Sequence, residues 1–92
     1  MKSEVNKLIE ILEAVYSNKI GVEEGQDRVQ ELSMHEFEEV FCNLFHYWHD
    51  EDIRKKEPEY KEFQDTELKK LINHLKCRNI DAAKEVSFLH VS

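Results

Sequence analysis

The chain has two glycines, one proline and two cysteines in 92 residues. So few glycines and prolines leave little material for the tight turns of an all-β fold, or for a glycine-built phosphate cradle. Cys42 and Cys77 are too few for a disulfide framework. No apolar run approaches the roughly 20 residues that span a bilayer. The start, Met1-Lys2-Ser3-Glu4-Val5-Asn6-Lys7, has no apolar signal core. These absences predict a reduced, cytoplasmic chain.

Acids outnumber bases 20 to 13, and 40% of residues are hydrophobic. That is enough apolar material for one core in a chain of single-domain length, read here as one helical domain over 1–92. Residues 23–39 hold seven acids and one base, and residues 50–67 hold eight acids and four bases. Residues 68–92 are basic, five against two. An acidic middle disfavours nucleic acid and anionic membrane as partners and favours a protein with a basic surface patch. The same charge also serves as a solvated surface.

Apolar spacing predicts an all-α bundle of four or five helices. Val5, Leu8, Ile9, Leu12, Val15 and Tyr16 recur at helical period over Glu4–Ser17, with Ser3 as the N-cap and a turn at Gly21. A second helix is expected over Val22–Glu31, where Gly25 allows another helix to come close. Ser33-Met34-His35-Glu36 reads as a capping box opening the central helix. Its stripe of Phe37, Val40, Phe41, Leu44, Phe45 and Trp48 lies within about 80° of Phe37 on a helical wheel. Residues 50–57, almost all charged, read as a loop before Pro58. A helix over Pro58–Cys77 carries Leu68, Leu71, Ile72 and Leu75, and Phe63 lies about 140° off that stripe. That offset predicts a break near Gln64–Thr66, with Asp65 as a new cap. A short helix from Ala82 to Leu89 is expected behind Asp81, held by Ile80, Val86 and Leu89.

Three constellations could carry chemistry. Cys42, His46 and His49 share one helix face, and His74 and Cys77 another, at spacings that suit zinc. Both faces point away from the apolar stripe of their helix, so no metal or other cofactor is expected. The acids Glu36, Glu39, Glu62 and Asp65 form E-x-x-E and E-x-x-D pairs separated by 22 residues. This pattern resembles the MazG-type nucleotide pyrophosphohydrolases, and the resemblance implies four carboxylates holding Mg²⁺ against a nucleoside triphosphate. Fifteen glutamates make such pairs common by composition alone. The third is a binding surface. Tyr47, Asp50, Glu51, Asp52 and Tyr60 place aromatics beside acids where a helix ends. Three acids there oppose the helix dipole unless Arg54, Lys55 or Lys56 folds back. Neutralising all three is therefore expected not to destabilise the chain.

Lys19-Ile20-Gly21-Val22-Glu23-Glu24, His46-Tyr47, Asp50-Glu51-Asp52-Ile53-Arg54 and Pro58-Glu59-Tyr60 resemble small acidic helical bacterial immunity proteins. The resemblance implies a helical inhibitor that binds and blocks a basic toxin. The paired adjacent tyrosines and glycine-rich C-terminus of the colicin-nuclease immunity proteins are missing here, so no residue role is carried over. The leading expectation is a non-enzymatic binding module whose contacts are Tyr47, Asp50, Glu51, Asp52 and Tyr60, with no catalytic residue. The pyrophosphohydrolase is the alternative.

Overall fold

A computed structural model of the chain describes residues 4–32 and 37–88. Six helices form among them: α1 Glu4–Tyr16, α2 Val22–Gln30, α3 Glu38–His49, α4 Glu51–Lys56, α5 Pro58–Lys76 and α6 Ile80–Glu85. No strand occurs among the described residues, so the all-α expectation holds with six helices in place of four or five. The expected caps Ser3, Ser33 and Glu36 lie outside the described residues, as does Leu89.

The extra helix is α4, in the stretch expected to be a loop. Its charge order explains it: Glu51 and Asp52 occupy the first turn, and Arg54, Lys55 and Lys56 the last. Each sign sits at the dipole end that favours it. Asp50 (φ −91°, ψ 12°) separates α3 from α4. Glu57 is extended (φ −121°, ψ 103°), as the residue before a proline must be, and Pro58 opens α5.

The expected break in α5 is absent, and the helix runs 19 residues through Gln64–Thr66. Gln64 is fully buried and continues the stripe of Leu68, Leu71, Ile72 and Leu75 one turn earlier. A polar residue thus holds a core position that apolar counting passes over. Phe63 stands off that stripe and turns toward Tyr60, their rings 6.3 Å apart.

The core is built around α5, which packs most extensively on α1 and also meets α4 and α6; α3 packs on α2, α4 and α6. Val40, Leu44 and Trp48 of α3 are buried as expected, and so is Phe37 just before it. Tyr47 is buried as well, whereas Phe45 is 51% exposed and Phe41 only partly covered. The buried face of α3 is therefore rotated toward Tyr47, leaving Phe41 and Phe45 at its edge.

Asparagines take two jobs expected of other residues. The α1 turn rests on Asn18 at φ 63°, with Lys19 N donating to Ala14 O at 2.8 Å and Asn18 N to Val15 O at 3.1 Å. This is a Schellman closure with the left-handed residue three places before Gly21. Asn79, not Asp81, caps α6, accepting a bond from Ala82 N at 3.3 Å. α6 ends at Glu85, and the extended chain beyond it buries Val86 and Phe88. Gly25 does bring helices together, since a Cβ there would lie 2.5 Å from Val15 Cγ2.

Candidate functional site

The α3–α4–α5 corner gathers the two buried polar side chains of the described residues, Arg54 and Gln64. Arg54 is 6% exposed. It sits in the last turn of α4 and folds back over the end of α3, where its Nη1 donates to the Tyr47 carbonyl. That carbonyl is one of the last four of α3, which the helix itself leaves without a partner. The guanidinium carbon also lies 3.8 Å from the centre of the Tyr47 ring. Nη1 donates a second bond to Gln64 Oε1 at 2.6 Å.

Gln64 then turns its amide nitrogen outward. Nε2 lies 2.9 Å from Asp50 Oδ2, 3.1 Å from the Tyr60 hydroxyl and 2.9 Å from the Phe88 carbonyl. Tyr60 donates its hydroxyl to Asp50 Oδ2 at 2.6 Å. Tyr47 donates to Asp65 Oδ1 at 3.3 Å, and Lys61 donates to Asp65 Oδ2 at 2.6 Å. Among the described residues no buried side-chain nitrogen or oxygen lacks a partner. A buried polar network stabilises a fold only when it is satisfied in this way.

Two phenols are perturbed. Burial pushes the Tyr47 hydroxyl up to about 12, with the Arg54 charge pulling the other way and Asp65 adding to the rise. Tyr60 is also pushed up to about 12, by desolvation first and then by its bond to Asp50. Both hydroxyls are donors at neutral pH, and neither is poised as a base.

The structure brings Tyr47, Asp50 and Tyr60 together around Arg54 and Gln64. Glu51 is half-buried and Asp52 exposed on the first turn of α4. The three acids begin a helix as well as follow one, and this reverses the expectation that neutralising them is harmless. A cleft of about 200 Å³ opens beside the network, its walls including Tyr47, Glu51, Arg54, Lys61 and Asp65. Sequence reasoning missed Arg54 as a buried group, Gln64 and Phe88. Gln64 was legible as the position four before Leu68.

The metal candidates do not converge. No group of three or more His, Cys, Asp or Glu side chains placed to share a metal ion occurs among the described residues. Cys42 and Cys77 are exposed and unpaired. Of the four-acid set, Glu36 lies outside the described residues, Glu39 and Glu62 are exposed, and Asp65 is bonded to Tyr47 and Lys61. No described helix is long and apolar enough to cross a membrane. No protein-family model matches the chain, and neither the curated proteins nor the solved structures give a match.

Proposed function

We propose that this chain is a non-enzymatic binding module that meets a basic patch of another protein through the acidic α3–α4–α5 corner. Glu51 and Asp52 would make the outer contacts with the accessible edges of Asp50 and Tyr60, and Tyr47 would support them from beneath. The observation that carries this reading is the network under the acids: Asp50 is held by Tyr60 and Gln64, and Gln64 by Arg54. A preorganised charged surface loses little side-chain freedom on docking, and its field steers an oppositely charged partner. The expected action is steric blocking of that partner, as in a bacterial immunity-type inhibitor. Two exposed, unpaired thiols favour a reducing compartment, in keeping with a cytoplasmic site of action.

The test is affinity capture from the native host with mass spectrometry, followed by association rates at two salt concentrations. Glu51→Gln with Asp52→Asn should slow association and flatten its salt dependence. An unchanged on-rate would remove the corner from the interface. Release of pyrophosphate from a nucleoside triphosphate with Mg²⁺, lost in Glu39→Gln, would overturn the non-enzymatic reading.

A further inference from the structure

A second surface remains outside the corner. Between α2 and α3 runs an open apolar groove of about 390 Å³, whose lining includes Gln26, Val29, Gln30, Phe41, Phe45 and Trp48. Its wall is continuous with the core through Val29 (4% exposed) and Trp48 (6%), while Phe45 is 51% exposed. The Phe45 ring is held against His49, their centroids 4.0 Å apart. Phe45 thus extends an apolar wall from the core to the surface, and contiguous exposed apolar area of this kind marks contact sites.

The rim of the groove is acidic. Glu23, Asp27 and Glu38 each stand one turn before a lining residue, namely Gln26, Gln30 and Phe41, and all three are exposed. Glu31, the C-cap of α2, is exposed too. Arg28, the lone Lys or Arg of α2 and α3, is turned to Glu24, 3.3 Å away. The groove therefore pairs an apolar floor with a negative border. A second copy of this chain, itself carrying a net charge of −7, would bring like charges together around the contact.

We infer that the α2–α3 groove is the seat of an amphipathic helix from a partner protein, with apolar residues facing Phe41, Phe45 and Trp48 and lysines or arginines flanking them. This is the helix-in-groove mode, with the acids setting orientation and excluding acidic helices. The inference rests on the reading of the chain as a module for a basic partner, and adds where that partner's apolar residues go.

Trp48 is the single tryptophan of the chain and lines the groove, so it reports occupancy directly. The probe is a synthetic amphipathic helical peptide of leucine and lysine, titrated into the full chain while Trp48 fluorescence is followed. A leucine and glutamate peptide of the same pattern is the control. The expected result is a saturable spectral shift with the lysine peptide alone, weakened by salt. Affinity should fall at least tenfold in Phe45→Ser and in Gln26→Lys with Gln30→Lys. Phe45 and Gln30 are exposed and Gln26 is half-buried, so an unchanged helical circular dichroism signal checks the folding of both variants. Wild-type affinity in both variants, with loss in Glu51→Gln and Asp52→Asn, would overturn the groove and leave the acidic corner standing. Wild-type affinity in all of these variants would overturn both. Sedimentation showing a dimer of the free chain that Phe45→Ser dissociates would assign the groove to a second copy and overturn the inference.

Discussion

Gln64 donates its side-chain amide to the Phe88 carbonyl at 2.9 Å, joining the middle of α5 to the extended chain beyond α6. The same side chain accepts from the buried Arg54 guanidinium on its other end. One neutral residue thus holds a cation and a carbonyl out of water at once, and the corner depends on it.

Gln64→Ala should cost about 2–4 kcal/mol, because it strands a buried guanidinium and a buried carbonyl as well as opening a cavity. Gln64→Leu fills the volume without restoring the bonds, so it should also destabilise. Urea melts of both variants check this; a neutral Gln64→Leu would show that packing alone holds the corner.

The three corner acids should separate. Asp50→Asn weakens two charge-assisted bonds, from Tyr60 and Gln64, and should cost about 1–3 kcal/mol. Glu51→Gln and Asp52→Asn lose their favourable placement in the first turn of α4, and Glu51 also its exposed pair with Lys55 at 3.9 Å, about 0.3–1 kcal/mol each. Thermal melts of the single variants give the order.

Alkaline pH should unfold the chain through its phenols. Tyr47 and Tyr60 are raised from 10.0 to about 12 in the folded state, so the unfolded chain loses these protons first. Their contribution to stability is complete below pH 10 and is lost as pH rises toward about 12. Denaturant midpoints across that window, with the tyrosinate absorbance followed alongside, test the sign. Tyr47→Phe should reduce the slope.

Gly25→Ala sets two effects against each other. Alanine gains about 1 kcal/mol in helix propensity. Its Cβ would meet Val15 Cγ2 at 2.5 Å, on a β-branched side chain with little rotamer freedom. Overpacking typically costs about 1–3 kcal/mol, so the variant should melt at a lower temperature with its helix content intact.

Leu44 and Phe41 lie one turn apart on α3 but differ in depth. Leu44 is fully buried, and Leu44→Ala should cost about 2–5 kcal/mol. Phe41 is only partly buried at the groove edge and should cost less. Equal losses in denaturant would mean that α3 is seated differently.

The helices were legible wherever apolar residues carried the period. Leu8, Leu12 and Val15 on α1, and Leu68, Leu71 and Leu75 on α5, were placed correctly because burial and hydrophobicity coincide there. The reading failed where polar residues take structural positions. α4 is made by charge order, which an apolar scan reads as loop. Gln64 holds a core position, so its absence from the stripe looked like a break. Tyr47, Asp50 and Tyr60 were singled out, but their mutual contacts come from the fold of α4 onto α5, which no local spacing encodes. Phe88 joins through contacts distant in sequence, with its ring 5.4 Å from Tyr47.

The reach of Gln64 to Phe88 also bears on synthesis. During synthesis α3, α4, α5 and α6 are all complete before Phe88 is added. Until then the Gln64 amide and the Tyr47 ring lack the carbonyl and the aromatic partner that close over them. The corner is therefore a late event in the life of the nascent chain. A released fragment ending at Glu85 should remain protease-sensitive around α4, and one extended past Phe88 should be protected there.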